Sequence, residues 1–431
     1  MINEMQKLKE FWRSLGPGLI ASVADDDPSS ITTTAIAGAK FGLATLWTAL
    51  FTLPFMIVVQ RMSGRIGLVS GKGLAGNMRK HYPAWILVIV TTIILVVNII
   101  NIGADISGMT TAVRLLVPWP AMLVSASISV IIILLLIFLS YRQIAQYLKW
   151  IAVVMLAYVV SALLVKQPWH EIALRIFAPP WSSWGNREYL KIIIAIFGTT
   201  ISPYLFFWQA SEAVEEGRFL SENGSDVIPD IGPHARRSKY IIKNEVGAMY
   251  KDIYYGMAFS NIITFFIIIL TASTLFTHGY TNISTLEDIA NTLKPLAGQY
   301  SNVLFLIGIL ASGILAIPVL AGSAAYAVAE IFGWRDGFDN NFGKAKQFYL
   351  VIILATLIGL GIEMFHLNPV NILFYTAVIF GMVSPVIIAL VIHMANNPKV
   401  MGQFTSRPLS NILAYILLLI MSASVVAMFF L

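Results

Sequence analysis

The residues whose types and spacing can do chemistry lie together at Asp25-Asp26-Asp27-Pro28-Ser29-Ser30, three carboxylates and two hydroxyls inside an otherwise apolar stretch. Carboxylate and hydroxyl oxygens are hard donors, suited to magnesium, calcium or manganese more than to soft metals. Three adjacent carboxylates out of water repel one another and are poorly solvated, and a divalent cation relieves both costs by cancelling two charges. Two buried carboxylates sharing a proton would also serve an intramembrane aspartyl protease. That chemistry needs the pair on different helices, and the other candidate, Asp105, has no recognisable partner motif.

The element that must position these residues is an interrupted helix. The apolar stretches Leu15 to Val23 and Ile31 to Ala39 are each too short to cross a bilayer, which takes about 20 residues, but together they suffice. Proline lacks a backbone N–H, clashes with the preceding turn and pushes its predecessor out of the helical region, so the helix breaks at Asp27-Pro28 near the membrane midplane. A second interruption answers it at Phe197-Gly198-Thr199-Thr200-Ile201-Ser202-Pro203-Tyr204, with a glycine, three hydroxyls and a proline in mid-span. Broken helices at matching positions of two halves point to an inverted-repeat transporter with its site where the breaks meet. For Pro203 alone, a mere kink is the competing reading.

Composition sets the class. With 58% hydrophobic and 12% charged residues over 431 and a mean hydropathy of +0.78, this is an all-α polytopic membrane protein. No cysteine is present, which excludes disulfides, thiolate metal centres and thiol nucleophiles. The net charge of +6 does not indicate nucleic acid, because no basic run is interleaved with aromatics. No cleavage site follows the first apolar run, so a removable signal peptide is not expected.

Apolar spans are expected at 15–39, 43–62, 84–113, 121–139, 147–165, 189–215, 250–276, 302–332, 347–366, 369–395 and 410–430. Alternating the loops from an inside N-terminus puts 21 of the 28 Lys and Arg residues inside and 7 outside. That bias places the N-terminus in the cytoplasm and the C-terminus outside, in a bacterial inner membrane. The expected organisation is a cytoplasmic segment 1–14, a five-helix repeat 15–165, an extracellular linker 166–188, a second repeat 189–395 with a mobile cytoplasmic loop 217–250, and a linker with an eleventh helix, 396–431.

At these residues the chain resembles the Nramp family of divalent-metal transporters. That family carries Asp-Pro-Gly-Asn at its first-helix break, where this chain has Asp27-Pro28-Ser29-Ser30 after Gly16-Pro17-Gly18. Gln60-Arg61, Ser70-Gly71-Lys72, the Pro203 break and the order of spans extend the resemblance over nearly the whole chain. It implies a LeuT-like fold, an inverted repeat of 5+5 transmembrane helices plus an eleventh, with helices 1 and 6 broken. The family's asparagine is Ser30 here, and the methionine before the sixth-helix proline is Ser202. Its histidines beyond that proline are Tyr204 and Gln209, and its acidic pair in the third span is Asn98 and Asn101. These departures resemble the Nramp-related magnesium transporters.

The resemblance implies an oxygen-only shell of the Asp27 carboxylate, the Ser30 and Ser202 hydroxyls, and the carbonyls of Ala24 and Thr199. Asp26 and Asp25 would hold retained waters around it, since magnesium dehydrates reluctantly and binds through one or two carboxylates. No methionine occurs from Lys191 to Gly217. Asn98, Asn101 and Asp105 share a face of the third span and either line the ion path or tie helices together. The expected function is import of a divalent cation, magnesium ahead of manganese, by a monomer in the lipid bilayer, with no enzyme activity and no cofactor. The alternative is a proton-coupled manganese or iron transporter. A channel fits less well, because channels usually assemble rings of like groups from several subunits, whereas one chain here supplies two dissimilar breaks.

Overall fold

The computed structural model describes residues 24–138, 154–223, 239–365 and 367–430. The expected segment 1–14, the first half of the first span and the junction between the fourth and fifth spans lie outside them. Among the described residues, eight helices are long and apolar enough to cross a membrane, and Pro28–Thr45 with Trp47–Ser70 passes the same test as a pair bent by 103°.

We number the helices that frame the site in chain order: α1 (Pro28–Phe41), α2 (Trp47–Ser70), α3 (Leu74–His81), α4 (Ala84–Arg114) and α5 (Ala121–Phe138). The short apolar α6 (Val154–Leu164) follows, then α7 (Trp169–Phe177), α8 (Arg187–Thr200), α9 (Pro203–Asn223) and α10 (Lys239–Thr274). The last four are α11 (Ser301–Phe332), α12 (Lys346–Leu360), α13 (Pro369–Asn396) and α14 (Pro408–Phe430).

Both interruptions fall where proline chemistry puts them. Ala24 and Asp25 are helical, Asp26 and Asp27 are not, and the helix resumes at Pro28. Asp27 is extended (φ −65°, ψ 170°) and caps α1, which opens on the proline at its first turn. A proline there loses nothing, because its missing N–H would have had no helical partner. The sixth span stops at Thr200, leaves Ile201 and Ser202 outside the helix, and restarts at Pro203.

Two of the expected boundaries move. α2 runs on to Ser70, past the apolar window that ends at residue 62, because its cationic side chains find partners. The Arg61 guanidinium sits 4.7 Å from the centre of the Tyr250 ring, and Arg65 donates to Ser406 Oγ at 2.5 Å. Likewise α10 begins at Lys239 and α9 extends to Asn223, so much of the loop expected at 217–250 is helical. A polar helix end is invisible to hydropathy, yet it costs nothing in water.

The second half of the first span, α1, packs against α10, α13 and α8, and α4 packs against α11, α12 and α13. Backbones meet closely at glycines. A Cβ on Gly198 would lie 2.1 Å from the Ala377 carbonyl oxygen, and one on Gly381 would lie 2.2 Å from the Ile194 carbonyl oxygen. These reciprocal contacts clamp α8 to α13 just before the sixth-span break, as small residues do in membrane helix packing. Large apolar side chains such as Val88, Leu123, Leu354 and Leu419 are exposed along the outer helices, where only lipid could cover them.

Gly381→Ala should therefore destabilise the detergent-purified protein by more than the roughly 1–3 kcal/mol usual for overpacking, because the obstacle here is backbone, and so lower its melting temperature. Gly308→Ala, whose added methyl meets nothing within 4 Å, should leave it unchanged. Equal melting temperatures for the two variants would contradict the clamp.

Candidate functional site

The three aspartates at the first break are each buried, with at most 2% of their surface exposed. Buried carboxylates need partners, and each finds one on a different helix. Asp25 Oδ1 accepts from Ser202 Oγ at 3.3 Å, across to the sixth-span break. Asp26 Oδ1 accepts from Ser260 Oγ on α10 at 2.9 Å. Asp27 Oδ2 accepts from Asn101 Nδ2 on α4 at 2.9 Å. Its other oxygen holds the start of α1, accepting from the Ser30 amide at 2.6 Å and the Ser29 hydroxyl at 2.7 Å.

The sixth-span break supplies the facing groups. Ser202 Oγ lies 2.6 Å from the Thr199 carbonyl oxygen and 2.9 Å from that of Gly198. Its single hydrogen serves one of these acceptors or Asp25 at a time. Tyr204 Oη donates to the Ala24 carbonyl at 3.2 Å, a second tie between the two breaks. The Ile201 carbonyl, freed by the break, accepts from Ser384 Oγ on α13 at 3.0 Å. Loss of helical partners at Pro203 is thus compensated from a neighbouring span, as membrane burial requires.

Of the residues expected at the site, the structure gathers Asp25, Asp26, Asp27, Ser202, Thr199, Ala24 and Asn101 around the two breaks. Ser30 contributes its amide to the Asp27 cap. The carbonyls of Ala24 and Thr199 are both engaged by hydroxyls, and Ser202 meets Asp25 rather than Asp27. The two third-span asparagines, which sequence spacing groups together, separate. Asn98 turns to α11, donating to the Leu320 carbonyl at 2.9 Å and to Ser323 Oγ at 2.8 Å, so it ties helices. Asn101 bridges Asp27 to Asp105, whose Oδ2 is 3.4 Å away.

Sequence reasoning missed Ser260. The available signal was Ser260-Asn261 interrupting an apolar run in the seventh span. Asn261 is explained by Thr52, which donates to its Oδ1 at 3.0 Å; Ser260 is explained by the carboxylates of the first break. Glu215, past the middle of α9, accepts from the Tyr326 hydroxyl and the Asp339 amide, so it fastens that helix to α11 and the segment after it.

Several oxygens around the breaks have no protein partner: Asp26 Oδ2, Asn101 Oδ1 and Asp105 Oδ1 are all buried and unsatisfied. Each such atom costs about 1–3 kcal/mol, more if charged. Among the described residues, no three Asp, Glu or His side chains come together as a metal-holding group. The arrangement suits a cation that takes part of its shell from hydroxyls, carbonyls and its own water.

A helical membrane protein with two spans broken face to face, and acidic and hydroxyl oxygens at the junction, has the LeuT-like fold. Its backbone superimposes on MhsT in complex with L-phenylalanine with a TM-score of 0.57 over 96% of this chain and 97% of that one, at 13% identity. It matches the manganese transporter of Eremococcus coleocola with a TM-score of 0.74 over 96% of this chain and 86% of that one, at 17% identity. Residues 18–431 match the family model described as natural resistance-associated macrophage protein-like, and the chain belongs to this Nramp family. Similar proteins include the divalent metal cation transporters MntH of Ralstonia nicotianae, 26% identical over 96% of this chain and 90% of that one, and of Caldanaerobacter subterraneus, 24% identical over 94% and 90%.

The separation of the two asparagines is testable. Asn98→Leu should chiefly lower the melting temperature by cutting the ties to α11, while Asn101→Leu should chiefly weaken divalent-cation binding, measured calorimetrically, by releasing Asp27. Matching effects of the two variants on both measurements would contradict the assignment.

Proposed function

We propose that this chain is an alternating-access transporter that carries a divalent metal cation through the site between the two broken spans. The observation that carries the reading is the Asp25–Ser202 contact, which joins the first break to the sixth with a carboxylate and a hydroxyl. An ion placed there would take oxygens from Asp25, Asp27 and Ser202. The Ala24 and Thr199 carbonyls would become free as the Tyr204 and Ser202 hydroxyls turn away. Asp26 and Asp105, with an unsatisfied oxygen each, would hold waters of the ion's shell.

Manganese is the substrate we favour. Relatives along nearly the whole chain are named as MntH divalent metal cation transporters, and the matching structure is a manganese transporter. The magnesium preference expected from the missing methionine has no support from these comparisons. It stays as a second reading on one observation, the hydroxyl of Ser202 where a thioether would stand, since oxygen donors serve manganese and magnesium alike.

With the N-terminus inside, as the Lys and Arg bias supports, import runs down the membrane potential. Each charge gains about 2.3 kcal/mol per 100 mV, so a dication gains about twice that without a coupled proton.

Purified protein in liposomes should take up manganese saturably, and Asp27→Ala should abolish uptake. The substitution removes a helix cap worth about 0.5–2 kcal/mol but also a buried charge, so the variant should remain folded. Wild-type uptake by a folded Asp27→Ala protein would refute the site. Ser202→Met should shift selectivity toward cadmium and away from magnesium in competition assays, because it exchanges a hard donor for a soft one; unchanged inhibition by both ions would place Ser202 off the ion path.

A further inference from the structure

A cavity of about 620 Å³ opens between α2, α7, α8 and α14, lined by residues including Trp47, Phe51, Phe177, Leu190, Ala423 and Ala427. We infer that this groove is a binding site for one acyl chain of an anionic phospholipid, with the headgroup phosphate against Arg175 and Lys191.

The wall is mostly apolar and offers little to water. Ser424 is the one hydroxyl in it, and that hydroxyl donates to the Ile420 carbonyl of its own helix at 2.8 Å. A water in the groove would find too few partners to stay, so an apolar occupant is favoured. The volume falls in the range of small-ligand pockets, about 300–1,000 Å³, which suits one chain and not a whole lipid.

The surroundings are those of a membrane interface. α7 buries Ile172 but exposes Trp169, Leu174 and Phe177, the last 80% exposed. Its polar residues His170, Glu171 and Arg175 share the same short helix, a composition that lies in the headgroup region. The Trp47 and Trp184 rings stack with centroids 5.8 Å apart, and Trp47 Nε1 donates to the Tyr189 hydroxyl at 3.0 Å. Tryptophans with an apolar body and one satisfied polar atom collect at that depth.

Charge selects the headgroup. Residues 166–191 carry Lys166, Arg175, Arg187 and Lys191 against only Glu171 and Glu188. Arg175 immediately precedes the lining residue Ile176, and Lys191 immediately follows the lining residue Leu190. Both have a carboxylate near, Arg175 with Glu171 at 3.8 Å and Lys191 with Glu188 at 2.8 Å. Glu188 is shared with Lys40 at 3.1 Å, so the segments that flank the groove keep a cationic excess complementary to a phosphodiester.

The test is native mass spectrometry of the full-length protein in detergent with equal amounts of phosphatidylglycerol and phosphatidylcholine. Wild type should retain one phosphatidylglycerol per chain. Ala423→Trp, which fills the groove, should cut that retention about tenfold, the equivalent of about 1.4 kcal/mol. Should that variant fail to fold, Ala427→Phe serves the same purpose from the next turn. Arg175→Gln should keep a lipid but lose the preference for phosphatidylglycerol. Absence of a retained lipid in wild type, unchanged retention in the filled variants, or a lipid-free dimer that the filled variants abolish would each overturn the inference, the last by showing a second copy in the groove.

Discussion

Three consecutive carboxylates at a helix break inside a membrane cannot be satisfied by the helix that carries them. The structure meets this constraint by sending Asp25 to the sixth span, Asp26 to the seventh and Asp27 to the third. The fan depends on the break itself, because successive residues of an intact helix would point at intervals around one axis, with their backbones fully paired. Asp26 and Asp27 leave the helix, and Pro28 makes the interruption permanent. One local backbone choice therefore gathers three distant elements around one point.

The remaining packing holds that point. Gly198 and Gly381 let α8 and α13 touch backbone to backbone beside the sixth break. Ser384, one turn along α13, then satisfies the carbonyl that the break exposes. The same helix thus clamps the break sterically and completes its hydrogen bonding. Among the described residues, the hydrogen bonds that join the two breaks, Asp25–Ser202 and Tyr204–Ala24, are long at 3.3 and 3.2 Å, so a cation bound there would replace them at modest cost. Alternating access requires such a junction, strong when occupied and weak when not.

Much of this architecture is legible in the residues. The two prolines mark both breaks to within a residue through the hydroxyls and carboxylates beside them, since Pro54, Pro318 and Pro385 lie inside helices that continue past them. The apolar spans from 84 onward are legible, the fifth excepted because it lies partly outside the described residues, since lipid imposes one length and one composition. Less was legible where partners decide. The polar extension of α2 rests on Arg61 finding Tyr250 and Arg65 finding Ser406. Asn98 and Asn101, identical residues on one helix face, part company because α11 lies nearer one and the first break nearer the other. Ser260 carries no mark of its own; only the direction in which Asp26 leaves the break makes it part of the site. Donor type likewise names hard ions as a class, and hydroxyls and carboxylates do not by themselves divide magnesium from manganese.

The central claim, that the junction of the two breaks is where the ion binds, is most directly examined by anomalous diffraction from manganese-soaked crystals of the protein, recorded on either side of the manganese absorption edge. The account predicts a single strong peak between the first-span aspartates and Ser202, close to Asp25 and Asp27 and vanishing below the edge. A manganese peak elsewhere in the bundle, with none between the breaks, would contradict it.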